Sequence, residues 1–406
     1  MFNKKEEIIT TERFTTTPHP DIELGFGRNK LEYFLSFPES GVNADTGVIL
    51  VIPGFGDWAA SDYQKDKLRP YLANKYNCIA VGVNYFGIGV KIVRNLRTGE
   101  NFLECIEKIY GVRPNQYVIN ENVRIDILFK ILKEKGVKKI DHRCYLLHDA
   151  YNGGYREYQS FGFLPAIDHL NVLGEILKRY NINKRKIIAF GSSYGGYIAL
   201  LLGKFAPNTF SVIIDNSGYV KSQLNEIADR ELLIPHSFST RDLQVYHFED
   251  NPWTIFDKAS PFFFSDSCKC IRSLQCEEHI KGSKTRYYIF HSERDKIIPI
   301  AEKDMFVDML RKHNTVNYFK VNEQNMDGSV FKNLDHAMKA SLRGIFDLVS
   351  DFDDNGLEKD TDLTDFDLNS VYTYNCGEKS YVFSFNNNFD LNVKLSTSES
   401  PRRNKN

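Results

Sequence analysis

The chain has 406 residues, of which 42% are hydrophobic and 26% charged, and it contains 30 phenylalanines and 22 tyrosines. This composition is typical of a globular protein and excludes a wholly disordered chain. The formal net charge is −1, so the chain lacks the basic excess that nucleic-acid binding needs. Residues 1–14 lack the apolar segment of a secretory signal, and no run approaches the ~18 apolar residues that span a membrane. We therefore expect a cytoplasmic protein with neither nucleic acid nor a membrane as partner.

Short apolar runs that end at turn residues alternate with helical patterns along the chain. Such runs are apolar on both faces, as parallel strands covered by helices on each side require. The alternation predicts an α/β fold with a doubly wound, mostly parallel sheet. The predicted strands are 47–52, 78–83, 186–190, 210–214, 285–290 and 316–321, and the predicted helices are 122–135, 164–180, 194–204, 301–313 and 337–350.

The chain divides into a main domain and an extension. Residues 1–350 form the predicted α/β domain, in which two irregular stretches, about 96–160 and 219–283, read as inserted lid segments over a substrate cleft. The aromatic residues of 245–264 either line an apolar site in the lid or form its core, and we favour the core. Residues 351–406 read as an acidic linker, a β-hairpin extension and a polar tail.

The seven cysteines are odd in number and scattered along the chain, which argues against a disulfide framework. Cys268, Cys270 and Cys276 do lie close together, and His279 would supply a fourth zinc ligand. The paired Cys-x-x-Cys spacing of zinc sites is missing, however. We therefore expect no metal and no cofactor.

The strongest chemical signal is the run Gly-Ser-Ser-Tyr-Gly-Gly at 191–196, which fits G-x-S-x-G with Ser193 at its centre. It stands directly between a predicted buried strand and a predicted helix, the context in which this motif marks a nucleophile. A tight turn there strains the backbone and holds the central hydroxyl out at the sheet edge, and Gly191 and Gly195 remove side chains that would clash. The motif predicts that Ser193 is a nucleophile.

A serine nucleophile needs a base, and the base needs a carboxylate that orients it. His336 is the predicted base because it lies in the loop between the last strand and the last helix. The acid should follow the strand at 285–290, where Asp295 is our choice. Asp215, at the end of the preceding strand, and Glu293 stay open as alternatives.

The negative oxygen of an acyl-transfer transition state needs backbone N–H donors. One is expected from Tyr194, which follows the nucleophile. The second is expected from the loop after the strand at 47–52, which reads Pro-Gly-Phe-Gly. Gly54 lets this backbone approach a substrate, and the N–H of Phe55 is the predicted second donor.

Together these motifs resemble the α/β-hydrolase superfamily over about residues 45–350. The region from Phe161 to Gly196 is similar to an uncharacterised bacterial family of that superfamily associated with flagellar-glycan gene clusters. That resemblance implies acyl chemistry on a sugar. One departure concerns the oxyanion loop, which has Pro53-Gly54 where many hydrolases have His-Gly.

These observations favour a serine hydrolase that cleaves a carboxylic ester through an acyl-enzyme, with a small-molecule or glycan ester as substrate. The O-acyl group of a carbohydrate is one candidate. An acyltransferase or a peptidase with the same three residues is an alternative, since water exclusion would favour transfer. A catalytically inactive hydrolase fold kept as a binding protein is the third hypothesis.

Overall fold

A computed structural model describes most of the chain. Much of the predicted insertion at 96–160 and part of that at 219–283 lie outside the described residues. The described residues are 11–88, 96–98, 107–108, 110–113, 118–119, 122–123, 125–137, 146–148, 151–152, 155–234, 236–240, 243–247 and 251–397.

The core of the protein is an eight-stranded sheet with the strand order β1-β2-β4-β3-β5-β6-β7-β8. The six neighbouring strands β4, β3, β5, β6, β7 and β8 run parallel to one another. β2 is antiparallel to both β1 and β4. The predicted α/β-hydrolase fold is thereby confirmed. The strands are β1 (Thr11–Thr16), β2 (Leu31–Ser36), β3 (Gly47–Ile52), β4 (Cys78–Asn84), β5 (Ile187–Ser192), β6 (Val212–Asn216), β7 (Arg286–Ser292) and β8 (Thr315–Val321).

Helices cover both faces of this sheet because the central strands are apolar on both sides. Alternate residues of β3, such as Leu50 and Val51, belong to different apolar layers. The main helices with side chains in these layers are α1 (Arg69–Tyr76), α2 (Phe163–Arg179), α3 (Tyr194–Phe205), α4 (Asp266–Arg272), α5 (Ile300–Arg311) and α6 (Leu342–Phe352). α2, α3 and α5 pack into one layer, and α1 and α6 into the other.

The described residues contain further elements. They are the helical segments Gln64–Leu68, Ile125–Glu134, Leu224–Ile227, Asp229–Leu232, Glu277–His279 and His336–Lys339, and the strands Leu96–Thr98, Val118–Ile119, Asn122–Val123, Leu146–His148, Tyr151–Asn152, Tyr155–Arg156, His236–Thr240 and Leu243–His247.

Two parts of the sheet domain differ from the sequence prediction. β1 and β2 were not predicted. β1 is a partly exposed edge strand whose polar sequence forms no apolar run. The helix predicted over 337–350 begins only at Leu342. Ala337, Met338 and Lys339 have φ values of 58°, 57° and 42°, so a left-handed turn precedes the helix.

The C-terminal segment contains a hairpin at the predicted place and a third strand that was not predicted. The three strands are β9 (Val371–Cys376), β10 (Lys379–Phe385) and β11 (Leu391–Thr397), in one antiparallel sheet. Tyr374, Tyr381 and Phe383 of this sheet are buried in the same apolar layer as α2 and α4. The third strand adds to the surface that packs on the main domain, since a two-stranded hairpin alone is only marginally stable.

The acidic stretch before this sheet is not a linker, because its carboxylates bind donors of the main domain. Asp353 forms an ion pair with Arg286 at 2.7 Å. Asp365 is fully buried and accepts hydrogen bonds from Thr209 Oγ1 at 2.8 Å and from the Asn208 N–H at 2.9 Å. Asp353 and Asp365 thus join this stretch to the main domain, whereas Asp351, Asp354, Asp360 and Asp362 are exposed.

Candidate active site

Ser193 stands in a strained turn between β5 and α3. Its backbone has φ 56° and ψ −122°, a region that residues other than glycine rarely adopt. The turn is held because the Ser193 N–H donates to Asn216 O at 2.7 Å. A Cβ on Gly191 would lie 2.2 Å from the Gly195 backbone, and one on Gly195 would lie 2.2 Å from Ile52 O. The two glycines therefore permit the close approach of α3 to β3 and β5.

The structure brings Ser193, His336 and Asp295 together, although they are far apart in the sequence. His336 Nε2 lies 2.7 Å from Ser193 Oγ, and His336 Nδ1 lies 2.8 Å from Asp295 Oδ2. Asp295 only accepts hydrogen bonds when ionised, so Nδ1 carries the proton and Nε2 is left to accept one from the serine. The imidazole side chain is 16% exposed and that of Asp295 is fully buried. The hydrogen-bonded line thus runs from a buried acid to a solvent-accessible hydroxyl.

The environment of Asp295 favours its ionised form. Burial acts to raise the pKa of this carboxyl, but hydrogen bonds from His336 and from the backbone of Ile298 and Ile297 outweigh burial and lower the pKa below the ordinary 3.8. The two backbone N–H groups donate to Oδ1 at 2.9 and 3.0 Å. Asp295 is therefore a fixed negative charge beneath the imidazole.

The two alternative acids, Asp215 and Glu293, interact with other residues instead of His336. Asp215 is fully buried and pairs with Lys303 Nζ at 2.7 Å, while its other oxygen accepts the Gly218 N–H at 2.7 Å. Glu293 is exposed and accepts a hydrogen bond from Asn322 at 3.3 Å. Only Asp295 of the three proposed acids is hydrogen-bonded to His336.

The predicted oxyanion loop lies against the serine turn. A Cβ on Gly54 would lie 2.9 Å from Ser192 O and 3.6 Å from Ser193 Cβ, so glycine is needed for this approach. The Phe55 ring stacks on that of Tyr194, with centroids 3.9 Å apart and planes 14° apart. Tyr194 begins α3, and N–H groups in the first turn of a helix have no acceptor within the helix. The Phe55 backbone and the start of α3 thus flank Ser193.

Several residues that support this site were not found from the sequence. Ser292 Oγ donates to Leu334 O at 2.6 Å and ties the histidine loop to the end of β7. The Asn216 side chain donates to Ser192 Oγ at 2.8 Å. Tyr219 is buried with its ring centroid 6.3 Å from that of His336. Asn216 and Ser292 lie at the ends of predicted strands, but many unrelated residues do so too. This position alone therefore did not identify them.

Aromatic residues of the predicted lid contribute mainly to packing where their side chains are described. Trp253 and Phe264 are 5% and 0% exposed and contact each other edge to face. Phe256 is exposed. The side chains of Tyr246 and Phe248 lie outside the described residues.

One group of possible metal ligands occurs among the described residues. It comprises Cys270, His279 and Cys376, whose ligand atoms all lie within 4.8 Å of one another. The sequence had grouped Cys270 and His279 with Cys268 and Cys276 instead, because Cys376 is remote in the chain. In the described part of the chain, no helix has the length and apolar character needed to cross a lipid bilayer.

A family model matches residues 12–395 of the chain. The chain belongs to this family, which is described as a protein of unknown function (DUF2920). No curated protein matches the chain at a significant level.

Solved structures with a similar arrangement include three proteins of low sequence identity. Acylaminoacyl peptidase of Pyrococcus horikoshii is 14% identical, with a TM-score of 0.45 over 88% of this chain and 43% of that chain. This chain therefore spans less than half of the peptidase. Est1E of Butyrivibrio proteoclasticus, with bound ferulic acid, is 12% identical, with a TM-score of 0.40 over 82% of this chain and 96% of that chain. The esterase Est2 of Thermogutta terrifontis is 12% identical, with a TM-score of 0.40 over 83% of this chain and 91% of that chain.

Proposed function

We propose that this protein is a serine hydrolase that cleaves a carboxylic ester through an acyl-enzyme. The observation that carries the proposal is the continuous hydrogen-bonded line from Ser193 through His336 to Asp295, with lengths of 2.7 and 2.8 Å. These lengths fall within the range that proton transfer to a base requires. The strained serine backbone supports the proposal, because strain of this kind collects at functional sites.

Acylation begins with attack of Ser193 Oγ on the ester carbonyl carbon. His336 Nε2 takes the serine proton as the new C–O bond forms. It then gives that proton to the leaving alcohol when the tetrahedral intermediate collapses. Asp295 stays ionised, fixes the imidazole tautomer through Nδ1 and stabilises the imidazolium that forms transiently.

The negative charge on the carbonyl oxygen would be met by the N–H groups of Phe55 and Tyr194. Each such donor contributes about 3–4 kcal/mol to the transition state. Deacylation repeats the cycle with water, which His336 deprotonates for attack on the acyl-enzyme. The stacked Phe55 and Tyr194 rings hold the two donors in a fixed relation and limit reorganisation during the reaction.

The O-acyl group of a carbohydrate is our proposed substrate class, and this finer proposal stands on the sequence resemblance alone. Transfer of the acyl group to a sugar hydroxyl would use the same acyl-enzyme, with the alcohol in place of water. The inactive binding protein is the opposing hypothesis, because it predicts no acyl-enzyme at all.

The test is labelling with a fluorophosphonate probe together with turnover of p-nitrophenyl acetate. Wild type should form one adduct per chain, mapped by mass spectrometry to Ser193, and should hydrolyse the ester. Ser193→Ala should lose both, because the attacking hydroxyl is gone. Ser380→Ala is the matched control, since Ser380 is a buried serine of β10 in the C-terminal sheet, and it should keep both.

A folded wild type that neither forms the adduct nor turns over the ester would contradict the proposal and support the binding protein. Folding of each variant is checked by circular dichroism. Acceptor competition with methyl glycosides then separates hydrolysis from transfer, because a transferase yields the acylated glycoside.

A further inference from the structure

Three separate parts of the chain meet beneath the C-terminal sheet. Cys270 lies on α4, His279 ends the helical turn Glu277–His279, and Cys376 ends β9. The sulfur atoms of the two cysteines and a ring nitrogen of His279 lie within 4.8 Å of one another. Both cysteines are free thiols. None of these residues takes part in the proposed hydrolysis.

The imidazole of His279 is oriented as a metal ligand would be. The residue is 3% exposed, and its Nε2 lies 3.0 Å from Asn375 O. A carbonyl oxygen only accepts, so Nε2 carries the proton and Nδ1 keeps its lone pair. Nδ1 is buried and has no hydrogen-bond partner among the described residues. A backbone carbonyl that fixes the far nitrogen of a histidine is the usual outer support of a metal-bound imidazole.

Cys276 is the candidate for the fourth ligand, although it does not belong to the group whose ligand atoms all lie within 4.8 Å of one another. It is a free, half-buried thiol, and its carbonyl accepts the His279 N–H at 3.0 Å. Tetrahedral zinc holds sulfur at about 2.3 Å and nitrogen at about 2.0 Å, which places the ligand atoms about 3.5–3.8 Å apart. For Cys270, Cys376 and His279 the 4.8 Å limit leaves about 1 Å of closure to the separations of a tetrahedral site, and the Cys276 side chain must rotate toward them to complete it.

The charge of Lys204 provides an independent observation. Lys204 is buried in α3, and its Nζ donates to Ile271 O at 2.7 Å and Ser273 O at 2.8 Å. No carboxylate of the described residues forms an ion pair with it, and Lys204 lines one cavity together with Cys276 and His279. A buried cation needs a compensating anion. Zn²⁺ with three thiolates and a neutral imidazole has a net charge of −1, which matches this lysine.

We propose that Cys270, Cys276, Cys376 and His279 bind one Zn²⁺ ion as a closed structural site. Three sulfurs and one imidazole form a donor set that zinc prefers, and the full set of four leaves no position open for a substrate. The three thiols lose their protons to solvent on binding. The ion would join β9 to α4 and to the turn at 277–279, and so hold the C-terminal sheet on the hydrolase core.

The first test uses the full-length wild-type chain and does not depend on the fold of any variant. Protein stripped with a chelator under reducing conditions is titrated with Co²⁺. We expect saturation at one ion per chain, visible bands of a tetrahedral complex, and strong near-ultraviolet thiolate charge-transfer absorption. Zn²⁺ should then displace Co²⁺ and raise the melting temperature. No bands and no thermal shift with either ion would overturn the proposal.

Variants then assign the ligands. Cys376→Ser and His279→Gln should each weaken Co²⁺ binding at least about 100-fold, since loss of even an outer support costs 10–100-fold. Cys268→Ser is the matched control, because Cys268 lies on the same helix but contacts Ser265 and Tyr381. It should bind Co²⁺ as wild type does. Equal binding by all variants, or a Cys270–Cys376 disulfide in protein purified without reductant, would also overturn the zinc site.

Discussion

The site around Ser193 and the underside of the C-terminal sheet both contain several polar contacts, but the two regions differ in their exposure. At the Ser193 site, the hydrogen bonds that start at Asp295 lead outward to a partly exposed imidazole and to the serine hydroxyl. Under the C-terminal sheet, Arg272 and Asp365 are fully buried. We expect the first arrangement to act in the proposed hydrolysis and the second to hold the C-terminal sheet in place.

This difference predicts that the two regions respond to substitution in opposite ways. Substitution of Ser193 or His336 should abolish activity and leave the free energy of unfolding nearly unchanged. Removal of a partner under the C-terminal sheet should lower the free energy of unfolding while the catalytic rate of the folded fraction is kept. The substitutions below test this separation, from the largest expected effect to the smallest.

His336→Ala should have the largest effect, a fall in kcat of about 10⁶-fold, because the serine loses its base and the leaving group its acid. The measurement is ester turnover with urea unfolding in parallel. The urea midpoint should stay close to that of wild type, since the imidazole is partly exposed. A variant that keeps more than about a hundredth of the activity would show that another group is the base.

Asp295→Asn should lower kcat by about 10⁴-fold, because the amide favours the wrong imidazole tautomer. Glu293→Gln is its control and should keep wild-type activity. The pKa of Asp295 is lowered below 3.8 by the hydrogen bonds that overcome its burial. Its ionised form is therefore favoured by folding, and this stabilisation is complete above about pH 4 and is lost only as the pH falls through the lowered value.

The rate of folded wild type should accordingly show no inflection near pH 4 from titration of Asp295, whose pKa is lowered. Kinetics of kcat/KM between pH 3.5 and 8 measure this directly, with the folded fraction followed by circular dichroism. An inflection near pH 4 in folded protein would mean that the acid titrates within the working range.

The Ser193 site could be predicted from the sequence because each of its residues follows a strand with a recognisable apolar run. Ser193, Asp295 and His336 come after β5, β7 and β8, and parallel strands have their carboxyl ends at one edge of the sheet. Their roles as catalytic groups stay predictions. Supporting contacts, such as the hydrogen bond from Ser292 to Leu334, depend on the conformations of loops. The local sequence pattern does not determine these conformations.

The C-terminal segment resisted prediction because its partners are far away in the chain. Asp365 binds residues 156–157 positions earlier, and Glu23 meets Arg272 across 249 positions. An acidic composition looks the same whether carboxylates face water or buried donors. For the same reason the sequence placed Cys268 in the thiol group and left out Cys376.

Glu23→Gln should lower the free energy of unfolding by about 3–5 kcal/mol, because Arg272 would stay buried without its carboxylate. The ion pair between them is fully buried, and Tyr381 of β10 also donates to Glu23 at 2.8 Å. Urea unfolding measures the loss. Asp390→Asn, in the exposed pair with Lys178, is the control and should cost less than about 1 kcal/mol.

Tyr372→Phe should have the smallest effect, about 1 kcal/mol, because it removes one donor to a carboxylate that keeps several others. Tyr372 donates to Asp365 Oδ1 at 2.6 Å, while Asn208 and Thr209 still bind the same carboxylate. Asn208 also donates to the tyrosine hydroxyl at 2.8 Å, so its amide loses an acceptor. Urea unfolding gives the loss, and ester turnover should match wild type. A fall in kcat without a change in the free energy of unfolding would contradict the predicted difference between the two regions, since it would link the C-terminal network to the Ser193 site.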